Sequence, residues 1–417
     1  MVLVIFISLL MIQLFLIKKK TYGMIFFNLV WLISSLLLLK NPYKISEINY
    51  NTILILILGI LFFNIGGLIK FDKRQDINKN IKNINLKYFY IYYIILTLID
   101  LYYLLKTIPK IRRYGFSYVK GAAYSIDGYD ALYGSTKVAM AMDLYVSVLG
   151  TVSFLILLGI LFNIKSHSKI KNKIKFLLLI SILNTIIQMI YTASRFKVVN
   201  MVILLTLYLF YCKKIKFKHI KLFLILLSPF YIATSLMNDG KVLEQVIVYL
   251  TGSIVVFDKF VNSSHEFWYG KMLISTLEFP ITIILRFFSK SYTPILSEYY
   301  SEFSKYIHIG NKYFYNALYT IFHPFYLDFG FFGVIVNSFF YGVLYKYVYS
   351  KFSTTNFRKI VIIYIDLYVI LSIFKNNFIN FNIFLTILIL ISTVIKIENK
   401  SRTIKLRRYN QNKKEEC

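Results

Sequence analysis

Long apolar runs, set apart by short basic segments, dominate the chain and restrict what it can fold into. A bilayer span needs about 20 mostly apolar residues, and ~17 is near the lower limit. Candidate runs lie at about 2–17, 22–39, 52–69, 88–105, 143–164, 176–192, 197–212, 222–237, 323–345, 360–375 and 381–395. With 58% hydrophobic residues collected in such runs, one soluble domain is excluded. The predicted fold is all-α, a polytopic integral membrane protein with about 11 transmembrane helices (range 10–13). The membrane domain covers 1–397, and 398–417 form a basic cytoplasmic tail held near anionic lipid.

A formal charge of +30 suggests nucleic acid as a partner, but the placement of the charge argues against it. The basic residues gather at Lys18 to Lys20, Lys70 to Lys87, Lys165 to Lys175, Lys213 to Lys221, Lys346 to Lys359 and Lys396 to Lys414, on every second loop. That is the positive-inside pattern. It predicts a multi-pass protein of the cytoplasmic membrane with the N-terminus outside and the C-terminus in the cytoplasm. Most of the 19 acids fall on the opposite side, among them Asp258, Glu278, Glu302 and Asp328. The first run lacks a basic n-region and a small-residue cleavage site, so it reads as an anchor. Cys212 and Cys417 give no disulfide framework and no Cys-based metal site. No metal and no cofactor are expected.

Two outer loops are long, at about 106–142 and 238–322. Parts of the second, Val246 to Phe257 and Ile281 to Phe288, are apolar enough to lie on or dip into the bilayer. No internal repeat is visible. No GxxxxGK[ST], HExxH or GxSxG context occurs.

Four constellations bear on chemistry. Asn184, Gln188, Tyr191, Thr192 and Arg195 recur at helical spacing and form one polar face, which should point into the bundle or a water-filled cavity. Arg195 forks onto phosphate oxygens, so the stripe suits an anionic ligand; equally, Arg195 and Lys197 suit snorkelling at a turn between short helices. Second, Asp328 stands where the large loop enters an apolar helix. If that helix runs on from Gly330, then Gly330, Gly333, Asn337, Tyr341 and Tyr345 share a packing face, and Asp328 belongs to the entrance near the helix N-terminus. Its functional and helix-stabilising readings are balanced. Third, His323 lies five residues before Asp328, so the two meet only through a bend at Pro324. His167, His219, His265 and His308 make no metal-ligand spacing and read as solvated loop residues. Fourth, the end of the large loop combines tyrosines, such as Tyr299, Tyr319 and Tyr326, with Glu298 and Glu302. Rings and carboxylates suit sugar binding; an interfacial aromatic belt is the plainer account. Asp100 and Asp366 lie within spans and should each have an internal partner.

Three stretches resemble a known family. They are Thr192-Ala193-Ser194-Arg195 before an apolar span, Gly252 to Asp258 with Glu278-Phe279-Pro280 in the large loop, and Asn316 to Gly342. In the last, Pro324-Phe325-Tyr326-Leu327-Asp328-Phe329-Gly330 followed by Gly333 and Gly342 is the nearest match. Here the chain is similar to the Wzy-type oligosaccharide repeat-unit polymerases of bacterial O-antigen (lipopolysaccharide) and capsule polysaccharide biosynthesis. The resemblance covers the whole topology but only about fifty residues in detail.

The resemblance implies a membrane glycosyltransferase acting on undecaprenyl-pyrophosphate-linked oligosaccharide at the outer face. The growing glycan passes to the non-reducing end of a new lipid-linked unit, and undecaprenyl pyrophosphate leaves. It also implies membrane lipid, a chain-length regulator and a flippase of the same pathway as partners. Cations must neutralise the pyrophosphate, and an acceptor must orient the incoming hydroxyl. Arg195 is expected at the pyrophosphate, helped by Lys197, Arg286 or Arg112. Asp328 or a loop acid such as Glu302 is expected at the hydroxyl; His323 is a further catalytic candidate and Tyr326 a substrate-binding one. A lipid-linked oligosaccharide flippase and an O-antigen ligase are the rival readings; His323 and the large loop suit the ligase.

Overall fold

The computed structural model describes residues 22–72, 85–123, 144–163, 168–192, 196–212, 242–275, 278, 295–303, 306–316, 319–374, 380 and 382–397. It is mostly helical. Among the described residues six helices are long and apolar enough to cross a membrane: Tyr22–Lys40, Tyr50–Leu68, Lys87–Gly115, Tyr145–Asn163, Lys169–Thr192 and Phe322–Phe352. Phe196–Tyr211 and Asn382–Ile397 are shorter apolar helices. The expected spans at 2–17 and 222–237 lie outside the described residues.

The chain divides into two compact units. The first comprises Met1–Lys73, Lys241–Lys351 and Ile365–Phe384. Its described elements are α1 (Tyr22–Lys40), α2 (Tyr50–Leu68), α7 (Val242–Val261), α8 (Ile295–Phe303), β1 (Tyr306–Gly310), β2 (Tyr313–Asn316), and α9 (Phe322–Phe352) up to Lys351. The second comprises Arg74–Gly240, Phe352–Tyr364 and Leu385–Cys417. It holds α3 (Lys87–Ala123), α4 (Gly150–Asn163) after a π-helical turn Leu144–Leu149, α5 (Ser168–Thr192) and α6 (Phe196–Tyr211).

In the first unit α1 and α2 are tied by reciprocal amide bonds. Asn28 Nδ2 donates to Asn64 Oδ1 at 3.0 Å, and Asn64 Nδ2 returns one to Asn28 Oδ1 at 2.9 Å. Both amides are buried, so the pair satisfies groups that would otherwise be costly in an apolar bundle. The segment Val246 to Phe257 belongs to α7, which packs against α1, α2 and the hairpin. Ser253 to Phe257 are fully enclosed.

The strands β1 and β2 pair antiparallel across the turn Asn311-Lys312. Alternation sends Ile309, Tyr313 and Tyr315 into the core and leaves Tyr306, His308 and Phe314 outside. Tyr313 donates to Glu244 of α7, and burial foremost, then that bond, pushes its phenol up to about 12.

In the second unit α3 and α5 share a polar seam. Thr97 pairs with Asn184 at 3.1 Å, and Asp100 accepts from Gln188 Nε2 at 3.0 Å and from the Tyr191 hydroxyl at 3.0 Å. Residue numbers rise together along both helices, so the two run parallel. The stripe read from the sequence does face inward: Asn184, Gln188 and Tyr191 are buried. Asp100 and Asp366 each have the internal partner expected; Asp366 accepts from Tyr345 at 2.9 Å.

Candidate functional site

The helix containing Asp328 covers the expected span at 323–345 and runs on to Phe352. It begins at Phe322, with Pro324 in its first turn, where the ring needs no donor and introduces no bend. It breaks further on, at Phe329 (φ −144°, ψ 22°) and Gly330 (φ 59°, ψ −144°). The Gly330 conformation is one that essentially only glycine adopts. A Cβ there would also stand 3.2 Å from the Phe267 ring.

A broken helix leaves carbonyls of the preceding turn without their usual donors. The segment 268–273 supplies donors. Trp268 N–H donates to the Leu327 carbonyl at 2.8 Å, and Tyr269 N–H to the Asp328 carbonyl at 3.1 Å. The Asp328 carboxylate then caps the helical turn at 271–275: Oδ1 accepts Met272 N–H at 3.0 Å and Oδ2 accepts Leu273 N–H at 3.1 Å. Asp328 is therefore not at a helix entrance. It is a fully buried carboxylate inside α9 that stabilises the start of another helical turn.

Two other acids, expected on the outer face from the sequence, do the same work. Asp258 Oδ1 accepts Asn49 N–H at 2.9 Å, at the start of α2. Both oxygens of Glu278 accept Ile295 N–H at 3.0 Å, at the start of α8. Acids that the sequence presented as a polar outer face fasten helix starts in the first unit.

His323 is fully buried among rings. Tyr319 stacks on it at 3.9 Å between centroids, Phe260 lies at 4.2 Å and Phe303 at 5.0 Å. Its Nδ1 bonds the Tyr299 hydroxyl at 2.9 Å, while Nε2 is buried with no protein partner among the described residues. His323 and Asp328 face different neighbours and form no acid–base pair. Tyr326 is half-buried in the same nest, against Phe260, His265 and Phe267. Glu302 is exposed on α8 and electrostatically close to Tyr319, whose phenol is pushed up to about 12, mainly by burial.

Of the expected cations, Lys197 is half-buried near the start of α6, within electrostatic reach of Asp100. Arg112 is exposed on α3 beyond Pro109. Arg195 and Arg286 lie outside the described residues. His323, Tyr326 and Glu302 thus gather in the first unit, and Lys197 and Arg112 belong to the second. No group of three or more His, Cys, Asp or Glu among the described residues is placed to hold a metal ion.

Sequence reasoning named Tyr299 and Tyr319 among the loop rings but missed His265. His265 is not a solvated loop residue: it stacks on Phe260 at 4.3 Å, and its Nδ1 bonds the Ser263 carbonyl at 2.9 Å. The available signal was the density of rings over Phe257, Phe260, His265, Phe267 and Trp268, with Tyr299 and Phe303 one helical turn apart.

The seam in the second unit carries its own prediction. Gln188→Leu removes a donor from buried Asp100 and is expected to cost about 1–3 kcal/mol. Replacing Asp100 with Leu in the same protein should recover much of that, read as the thermal midpoint in detergent. A double variant less stable than Gln188→Leu alone would show that the pair is not the unit assumed.

No family model matches the chain, and no curated protein or solved structure matches it.

Proposed function

We propose that the protein polymerises undecaprenyl-pyrophosphate-linked oligosaccharide repeat units on the outer face of the cytoplasmic membrane. The supporting observation is the nest around His323. A buried imidazole with one nitrogen bonded to Tyr299 and the other unpartnered among the described residues, walled by rings, suits a group that receives a sugar hydroxyl. In this reading His323 and Tyr326 face the acceptor sugar, with exposed Glu302 at the margin. The resemblance alone assigns Arg195, helped by Lys197 or by Arg286 and Arg112, to the departing pyrophosphate. Asp328 has a positioning role, since both carboxylate oxygens hold the segment 268–273.

The same unpartnered nitrogen favours an O-antigen ligase as second reading, since that chemistry differs only in its acceptor. Gene deletion separates the readings. Loss of a polymerase leaves single repeat units on the carrier or lipid core. Loss of a ligase leaves polymer on the lipid carrier, and loss of a flippase traps single units on the cytoplasmic leaflet.

The point variants follow. Arg195→Ala and His323→Ala, at normal protein level, are each expected to abolish long polymer and leave single units on a gel of surface glycan. Full-length polymer from both would end this assignment of the site.

A further inference from the structure

A row of exposed side chains runs along α9. Phe332, Val336, Phe340, Leu344 and Tyr347 recur at spacings of three and four residues, so they line one face. Tyr347 ends the row, with the Lys351 ammonium 5.7 Å from its ring centroid, as at a membrane–water boundary. From Phe332 to Tyr347 the row is about 22 Å long, at ~1.5 Å per residue. The hydrocarbon core of a bilayer is about 30 Å thick, so the row alone falls about 8 Å short at its Phe332 end.

Other exposed apolar groups meet that shortfall. Phe329 stands at the break in α9, and Phe267, Tyr269, Leu273 and Ile274 are exposed beside it, Tyr269 at 78% and Ile274 at 56%. Two glycines lock the pieces together. A Cβ on Gly270 would stand 3.3 Å from the Phe329 ring, and a Cβ on Gly330 would stand 3.2 Å from the Phe267 ring. Tyr269 N–H donates to the Asp328 carbonyl at 3.1 Å. Tyr269 has φ 46°, a left-handed conformation uncommon outside glycine, so its exposed ring is held in place at a cost to the backbone. Lys271 is the one charged residue in 267–274. Its ammonium lies 5.3 Å from the Trp268 ring and 3.9 Å from Glu298, away from the apolar groups.

An exposed apolar surface of this extent marks an interaction site. Its continuity with the row on a membrane-crossing helix identifies the partner as lipid. We propose that Phe267, Tyr269, Leu273 and Ile274 join Phe329 and Phe332 in one surface seated in the acyl chains of the bilayer, with Tyr269 at the headgroup boundary. A piece of the large loop then belongs to the membrane surface. Phe267 also meets the His265 ring at 5.5 Å and the Tyr326 ring at 6.3 Å. The ring nest therefore stands one side chain from lipid. A lipid-linked unit would reach it sideways from the membrane, a consequence that rests on the polymerase reading; the seating itself does not.

Nitroxide labels test the seating. They are attached one at a time to Tyr269→Cys, Ile274→Cys and Phe332→Cys, and to Lys312→Cys on the hairpin turn as a reference, in full-length protein carrying Cys212→Ala and Cys417→Ala. The protein is placed in vesicles of phosphatidylethanolamine and phosphatidylglycerol. Oxygen concentrates among acyl chains, so it should relax the labels at 274 and 332 several-fold more than a water-soluble nickel chelate does. The label at 269 should be intermediate, and at 312 the chelate should prevail. A chelate that prevails at 269 and 274 puts the surface in water and overturns the proposal. Spin–spin broadening at those sites that survives dilution into excess lipid shows a second copy covering them, which also overturns it. The unaltered protein gives a check free of these variants. A phospholipid with a photoactivatable acyl chain should leave adducts in 267–274; adducts on α9 beyond Phe332 with none in 267–274 overturn the seating. Neither measurement depends on catalysis, so a protein that makes no polymer ends the polymerase reading and leaves these results standing.

Discussion

Gly342→Val should leave almost no folded protein. At Gly342 the backbone of α9 runs against the backbone of α2: an added Cβ would fall inside the contact distance of the Phe63 carbonyl oxygen, with Gly67 N at 3.0 Å. The approach is reciprocal, since a Cβ on Gly66 would meet the Phe339 carbonyl. Small residues that let two backbones touch are a main source of helix association in membranes, where burial of apolar surface adds little. Backbone cannot swing aside as a side chain can. Valine must therefore push the helices apart and weaken their packing, at a cost we put above ~3 kcal/mol. Gly67→Ala is the contrast. Its new methyl would meet only the end of the Met24 side chain, which can re-pack, so the change should stay within about 1 kcal/mol. The measurement is the size-exclusion profile and melting temperature of detergent-solubilised protein. A monodisperse Gly342→Val protein melting with wild type would show that the crossing is not where the structure puts it.

That crossing was half legible in the sequence. Spacing put Gly333, Asn337, Tyr341 and Tyr345 on one face, and α9 does bury Gly333, Asn337, Gly342 and Tyr345 while exposing Phe332, Phe340 and Leu344. Period and side-chain size are local properties, so they survive reading one segment at a time. The inward stripe of α5 was legible for the same reason. Its partner, Asp100, was seen as a residue in need of one, yet 88 positions separate it from Gln188 and nothing local says which helix lies opposite. Asp328 was the hardest residue to read. Carboxylate, glycine and proline at a loop–helix boundary look alike whether they serve chemistry or a break in the helix. The difference lies in Met272 and Leu273, more than fifty residues earlier, whose amides point at the carboxylate. His265 failed as a single residue because its surroundings, the rings of Phe260, Phe267 and Tyr326, are assembled only by packing.

Asp328→Ala is expected to be nearly as damaging as Gly342→Val, for a different reason. The alanine leaves the buried Met272 amide without an acceptor, at about 1–3 kcal/mol, and the part-buried Leu273 amide at a smaller cost. It leaves intact the bonds from Trp268 and Tyr269 to the backbone of 327–328. The loss should therefore be local first: amides of 268–273 should exchange with solvent much faster than those of α7, and a protease should cut near Lys271. Asp328→Asn keeps one acceptor oxygen and sets an NH₂ against the second amide, so it should fall between alanine and wild type. Activity is expected to follow this order, because Trp268, which packs on the Tyr299 ring, rides on the segment that Asp328 fastens. Loss of polymer in an Asp328 variant would thus say nothing about chemistry unless exchange is measured alongside it. The informative result is an Asp328→Asn protein whose 268–273 amides stay protected. If it still makes polymer, the carboxylate's task is to hold that segment. If it makes none, the charge itself takes part in the reaction, and the structural role given to Asp328 is incomplete.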